Sequence, residues 1–422
     1  MPPVTRRRLL GTTAAGLATA VAGCGYQPGG GELDWERSVG SGDSFAAAAG
    51  LSTDDERWLA DGEFVARVRN RSGRTFTIDG YVELDDAFLT VRDSSGERSW
   101  SGSTDARYTG EPAFAAGRAY LHLEDGRVVA LERNEVDDSG DADAAARSEA
   151  TDLATRWETA WDGPALALHT AAPGVDSSLL VGVHRDGLAG FDIDSGDIRF
   201  EFTNETFDGR ELDTVVVAAD GLWALSSGDR GGGHTPRLFG LAPDGDVRVT
   251  ISPPMRVGWL TAVGSAAVLG LTDPAESLAP ELRTVAPTGE QPVTIELAGD
   301  PADGTPIAVP AADRVYHVGT DVIEAIDIAS GTREWRREGY SFRDAPVADA
   351  DGIYGWGTGP ELDSCGLTAV TADGEPWWGV PPLAELGCGA TLELVGDRLV
   401  AISDGRMYGL HKKPGRRYTL FS

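Results

Sequence analysis

One short turn recurs seven times along the chain. Its copies are Ser95-Gly96, Ser195-Gly196, Asp244-Gly245, Thr288-Gly289, Ser330-Gly331, Asp373-Gly374 and Pro414-Gly415. Most follow an apolar run such as Gly190-Phe191-Asp192-Ile193 or Ala325-Ile326-Asp327-Ile328. Four residues beyond the glycine stands Trp100, Phe200, Val249, Val293, Trp335, Trp378 or Thr419, always aromatic or β-branched. The glycines lie 100, 49, 44, 42, 43 and 41 residues apart, so the first interval is two periods with one turn missing. Units this short, made of short strands, bury their faces only against their neighbours, which restricts the chain to a repeat architecture.

The unit from Pro306 to Trp335 shows what repeats. Pro306–Val309, Arg314–Val318, Val322–Asp327 and Thr332–Trp335 each read as a strand, β-branched or aromatic and bounded by Gly, Asp or Ser. Ser330-Gly331 supplies a positive-φ position between the third and fourth strands at low steric cost. Corresponding units run Tyr81–Trp100, Ala119–Leu131, Leu179–Phe200, Val215–Val249, Thr261–Ile295, Ile353–Trp378 and Leu392–Leu420. The expected fold is therefore all-β, an eight-bladed β-propeller of four-stranded antiparallel blades spanning 62–422. The second unit lacks its turn because an insert rich in Asp, Ala and Ser, 134–155, interrupts it. Two questions stay open. Arg416–Leu420 or Glu32–Glu36 completes the last blade, and Phe64–Arg69 is a strand left over, so seven blades plus an irregular N-terminal piece is the alternative.

The pairs Gly96/Trp100, Gly331/Trp335 and Gly374/Trp378 carry a resemblance to the quinoprotein-like propellers and to the related propeller lipoproteins of bacterial outer-membrane assembly. It covers roughly Tyr81 to Leu420. It implies that the Trp packs between neighbouring blades, a role extended here to Gly196 and Phe200. Phe200, Val249, Val293 and Thr419 depart from the Trp, which implies looser contacts there. Quinone-dependent dehydrogenases of this fold class carry an adjacent cysteine pair and a calcium cluster of Glu, Asn and Asp. Cys24, Cys365 and Cys388 include no adjacent pair and asparagines are scarce. No cofactor is expected, pyrroloquinoline quinone included.

The first residues give an address. Thr5-Arg6-Arg7-Arg8-Leu9-Leu10 resembles a twin-arginine export signal, followed by a small-residue apolar stretch too short to span a bilayer. Val21-Ala22-Gly23-Cys24 resembles a lipobox. The expectation is a signal peptide over 1–23, then 24–61 as a lipidated Cys24 and flexible tether, anchored to the extracellular face of the membrane without crossing it. With 67 acidic against 36 basic residues, only two of them lysines (Lys412 and Lys413), the chain repels itself at low salt. In about 1 M salt the screening length falls to roughly 3 Å. Composition and lipobox together resemble those of a halophilic archaeon. The melting temperature should therefore climb as salt is raised toward that range; a melt insensitive to salt contradicts the reading. The same charge excludes nucleic acid as a partner.

Catalytic signatures are sparse. His122, His169, His184, His234, His317 and His411 show no metal-ligand spacing, and no metal is expected. His122 and His317 each follow a Tyr and read as blade packing. No nucleophile elbow, P-loop or dinucleotide fingerprint stands in its required context. The expected function is a non-catalytic binding or scaffolding propeller, with a protein or surface polymer as partner; a propeller hydrolase or lyase, or a quinone-dependent dehydrogenase, is the alternative. In an up-and-down blade the B–C loops and D–A connections share one face. Three B–C loops read as long: Ser226–Arg237, Thr272–Glu281 and Gly357–Gly366. They carry Arg230, His234, Arg237, Glu276, Glu281, Glu361 and Asp363, the candidate binding face. Cys365, in the third loop, and Cys388, in a D–A connection, fall on that face and are expected to form a disulfide. Asn70 and Asn204 lie in glycosylation sequons.

Overall fold

Near-continuous apolar runs let short strands bury both faces when the sheets stack around an axis, and that is how this chain is arranged. The computed structural model describes residues 29–38, 52–77, 80–134, 153–162, 165–226, 236–273, 275, 277–360, 362–383, 386–403 and 405–415. The export signal, Cys24, most of the insert and Arg416–Leu420 lie outside the described residues.

After β1 (Leu33–Ser38), the chain winds four strands at a time, A to D from the axis outward. Blade 1 is β2 (Ser52–Ala60), β3 (Phe64–Thr77), β4 (Gly80–Asp93) and β5 (Arg98–Ser103). Blade 2 is β6 (Tyr108–Ala115), β7 (Arg118–Leu123), β8 (Arg127–Arg133) and β9 (Leu153–Ala160). Blade 3 comprises β10 (Ala165–His169), β11 (Leu179–His184), β12 (Gly187–Asp192) and β13 (Ile198–Thr203); a bridge from β10 to β6 joins it to blade 2. In blade 4 are β14 (Leu212–Ala218), β15 (Gly221–Ser226), β16 (Arg237–Leu241) and β17 (Val247–Ile251). Blade 5 follows as β18 (Arg256–Val263), β19 (Ala266–Thr272), β20 (Glu281–Val285) and β21 (Thr294–Glu296). Next come β22 (Thr305–Val309), β23 (Arg314–Val318), β24 (Val322–Asp327) and β25 (Thr332–Glu338) as blade 6. Blade 7 has a broken inner strand, β26 (Ser341–Phe342) and β27 (Val347–Ala348), then β28 (Gly352–Gly359), β29 (Leu362–Thr371) and β30 (Pro376–Val380). The last blade holds β31 (Thr391–Val395), β32 (Arg398–Ser403) and β33 (Arg406–His411), and β1 is its fourth strand. Successive inner strands touch one another, and β31 touches β2, so the ring of eight blades is closed.

The seam corrects the expected tether over 24–61. Leu33–Ser38 pairs with β33 from Leu33↔Leu410 to Ser38↔Arg406, and Ser52–Ala60 is the inner strand of blade 1. The pattern of β1, Leu-Asp-Trp-Glu-Arg-Ser, is amphipathic, but its partner lies at the other end of the chain. The strand that seemed left over, Phe64–Arg69, is the start of β3, and the insert ends earlier than 155 because β9 begins at Leu153.

A repeated packing device explains the glycine period. In five C–D pairs a small residue of strand C faces the D-strand aromatic: Gly190↔Phe200, Ala325↔Trp335, Ala369↔Trp378, Ala130↔Trp157 and Gly409↔Trp35. A bulge follows at the same place in each and re-aims the aromatic toward the next blade. There it meets the turn glycine: Trp157 meets Gly196, Phe200 meets Gly245, Trp335 meets Gly374, and Trp35 meets Gly96. A Cβ on Gly374 would stand 2.6 Å from the Trp335 ring, and its φ of +82° already favours glycine. Each of these Trp indoles also donates to a turn carbonyl of the next blade: Trp35 to Ser94 at 2.9 Å, Trp157 to Ile193 at 3.1 Å, Trp335 to Ala372 at 2.7 Å. Val249 and Val293 meet Gly289 and Gly331 the same way but have no side-chain N–H to give. Trp100 is buried among Tyr108, Phe114, Leu121 and Leu153, against a blade that has lost its turn.

Candidate binding faces

The B–C loops and D–A connections form what we call the upper face; the A–B and C–D turns form the lower. Among the described residues, the longest feature of the upper face is the β3–β4 hairpin, in register from Phe64↔Asp93 to Thr77↔Gly80. Flanking strand β2 reaches only Ser72 and β5 only Phe88, so the distal part stands beyond its blade. Fourteen residues span about 46 Å, against about 20 Å for a six-residue strand. Arg71 braces it, paired with Asp86 at 2.6 Å and lying 4.4 Å from the Phe88 ring centroid.

The B–C loop of blade 5 is built by one carboxylate. Asp273 accepts from the backbone N–H of Ala275, Ser277 and Leu278 at 3.0, 3.1 and 3.1 Å, and from the Ser277 hydroxyl. That turn holds Leu278 outward at 61% exposure, the largest value among the exposed large hydrophobic side chains. Pro254, Met255, Ala279 and Pro280 surround it in a recess of about 370 Å³, whose polar wall is the Glu281–Arg283 ion pair. A second upper recess, about 320 Å³, places exposed Leu166 beside Asp55, Arg57, Glu111 and Glu124.

The lower face carries the channel mouth. A recess of about 370 Å³ draws on blades 1, 3, 6, 7 and 8, with walls of Ala60, Pro173, Ile307, Val309, Pro346 and Leu394. Two carboxylates reach it. Asp349 is neutralised by Lys412 at 2.5 Å. Glu393 has no hydrogen-bond or ion-pair partner among the described residues, and burial alone pushes its carboxyl up to about 7. A larger recess, about 760 Å³, adjoins through Gly62 and Pro173 and is walled by the A–B loop Thr170–Ser177 of blade 3.

Of the expected binding face, Arg230, His234, Glu276 and Glu361 lie outside the described residues, as does the Asp363 side chain. Arg237 and Glu281 are not brought together: Arg237 pairs with Asp208 and Glu281 with Arg283. The third long loop is corrected, because β28 runs to Gly359 and β29 starts at Leu362, leaving a tight hairpin. On the lower face the A–B loop of blade 3 is long, running from His169 to Leu179. Cys365 lies inside β29 and is bonded to Cys388, with Cα atoms 6.3 Å apart. Blocking this bond by Cys388→Ser should cost about 3 kcal/mol for a loop of this length; denaturant midpoints in high salt measure it, and an unchanged midpoint refutes a structural role.

Asn70 is corrected as a glycosylation candidate. It is 1% exposed, and its amide donates to the Tyr108 carbonyl and accepts from the Tyr108 N–H, both at 2.9 Å, stitching blade 1 to blade 2. Asn204 begins a short turn and donates to the Arg185 carbonyl at 3.0 Å. His122 and His317 are buried against Trp161 and Trp259. Burial pushes His317 down to about 4, so it stays neutral near neutral pH. Among the described residues no group of His, Cys, Asp and Glu is placed to hold a metal, and no helix is long and apolar enough to cross a membrane. Sequence reasoning offered Glu32–Glu36 as a closing strand, which the pairing of β1 with β33 bears out, but missed the docking role of Trp35, and it missed Trp157, Glu393 and the Leu278 patch.

No protein-family model matches the chain, and no curated protein matches it. Solved structures do. BamB from Moraxella catarrhalis is 16% identical with a TM-score of 0.46, covering 86% of this chain and 99% of its own. Sqt1 from Saccharomyces cerevisiae is 7% identical with a TM-score of 0.49, covering 91% and 99%. Sqt1 from Chaetomium thermophilum, bound to the N-terminus of the ribosomal protein L10, is 14% identical with a TM-score of 0.47, covering 83% and 93%. These are likenesses of fold, and what those proteins bind is no guide to this chain.

Proposed function

We propose that this chain is a non-catalytic binding propeller, exported, held by a lipid on Cys24 at the extracellular face of the membrane, and docking a protein on its upper face. The observation that carries the binding role is the Leu278 patch. An exposed leucine ringed by Pro254, Met255, Ala279 and Pro280, with an ion pair at its margin, has the composition of a docking site and not of a catalytic one. The loop springs from the closed ring, and the β3–β4 hairpin stands on the same face. The anchor rests on the twin-arginine run and on Ala22-Gly23-Cys24, and the high-salt setting on the acidic excess.

Crosslinked capture from membranes in high salt tests it, with the unaltered chain beside Leu278→Asp and a variant whose β3–β4 hairpin is cut back to Ser72 and Asp85. The expected result is a protein retained by the unaltered chain and lost, at least tenfold, from Leu278→Asp while its melting temperature is unchanged. A partner that survives both changes places binding elsewhere. An absorbing cofactor or turnover in the purified chain overturns the non-catalytic reading.

A further inference from the structure

The N-terminal segment is fastened to the lower face before it enters β1. Strand D of a blade runs from the lower face to the upper, so β1 begins low, at Leu33 beside Leu410, and ends high, at Ser38 beside Arg406. Ahead of it, Gly29 lies against Gly415, Gly30 against the Trp378 indole, and Gly31 against Val380 and the same indole. The Gly31 N–H donates to the His411 carbonyl at 2.8 Å, and the Gly29 N–H to the Glu32 carboxylate at 3.0 Å. A Cβ on Gly30 would stand 2.1 Å from that indole, so the close approach needs glycine. The chain leaves this dock at Gly29, on the lower rim between blades 7 and 8.

From these contacts the geometry points to the lower face, at the seam of blades 7 and 8, as the surface that lies against the lipid bilayer, with the upper face directed away. This rests on the anchor at Cys24. Five residue steps separate Cys24 from Gly29, at most about 18 Å when fully extended. A ring of six-residue strands is about 20 Å thick. A tether that short, starting at the lower rim, does not let the upper face reach the membrane.

Basic residues cluster in the sequence just beyond β33. Four of the six residues 412–417 are basic, in a chain with 36 basic residues in 422. Both lysines of the protein are there. Lys412 binds Asp349 and Asp351 at 2.5 and 2.9 Å, and Lys413 reaches Asp351 at 3.0 Å while its side chain stays 61% exposed. These pairs hold the lysines at the rim, and Arg416-Arg417 follow in the sequence.

The test uses the full-length membrane form reconstituted into phosphatidylglycerol vesicles that carry a spin-labelled lipid quencher. A fluorophore is placed by Asp397→Cys, in the lower A–B turn of blade 8, or by Leu278→Cys on the upper face; Cys365 and Cys388 remain bonded to each other. The mature mass is read first. With lipid on Cys24, the Asp397→Cys probe should be quenched and the Leu278→Cys probe should not. A flexible insert of about 30 residues before Gly29, with a mean span of about 30 Å, should abolish the difference. Equal quenching of both probes, or the reverse order, overturns the orientation and leaves the anchor standing. An unlipidated Cys24 removes the anchor and the orientation together.

Discussion

A chain starting at residue 39 should fail to fold stably, while one spanning 29–415 should fold as well as the whole mature protein. The first loses β1, the fourth strand of blade 8 and the closing element of the ring. Trp35 goes with it, packed between Gly409 of its own blade and Gly96 of blade 1 and bonded to the Ser94 carbonyl. So do the pairs Arg398–Asp34 at 2.8 Å, Arg406–Glu36 at 2.7 Å and Arg37–Glu97 at 2.7 Å, which span the last blade and its seam. The pairs are exposed and contribute little. The Trp dominates: Trp35→Ala alone should cost about 3 kcal/mol. Full removal adds an unpaired β33 edge, open to pairing with other chains. Denaturant titration in high salt, with light scattering to report association, measures both. A 39–415 chain as stable as 29–415, or a collapse on removing only 416–422, would show that the C-terminus closes the ring.

Glu393→Gln should stabilise the protein by about 3 kcal/mol at pH 8 and leave it unchanged at pH 4. In the unfolded chain the carboxyl titrates near its ordinary value of 4.5; in the folded protein burial holds it near 7. The folded state therefore binds the proton more tightly. Its ionisation costs nothing below about pH 4.5, a growing amount between there and 7, and the full linkage energy above. Glutamine never ionises, so the gain appears over that window. Asp349, the other carboxylate of the recess, is bound to Lys412, and Lys412 also to Asp351. Stability curves at several pH values test this; a gain equal at pH 4 and pH 8 reports repacking instead of ionisation.

How far the sequence announced these features depends on whether the cause was local. The turn glycines and the aromatics four residues on were legible, because bulge, turn and docking residue fall within one hairpin. Trp157 was hidden by the insert that separates it from β8, and Trp35 because its glycine partners, Gly409 and Gly96, lie far from it in the chain. Asn70 shows the converse: the Asn-Arg-Ser triplet is a local signal, and burial against Tyr108, which decides its role, is not. Glu393 stands between Leu392 and Leu394, as any solvent-facing residue of an alternating strand would. Only ring closure turns that position toward an apolar channel mouth. Leu278 reads as one apolar residue in an acidic loop until Asp273 fixes the loop and brings Met255 and Pro254 alongside.

The most direct test of a propeller that binds through its upper face is photo-crosslinking on intact membranes in high salt. One photoreactive residue is placed in turn at Leu278, at Val82 near the hairpin tip, and at Ile198 on the outer strand of blade 3, all exposed. The account predicts one defined protein adduct from position 278 or 82 and none from 198. An adduct from 198 alone, or none from 278 and 82 while the chain is folded and membrane-bound, would contradict it.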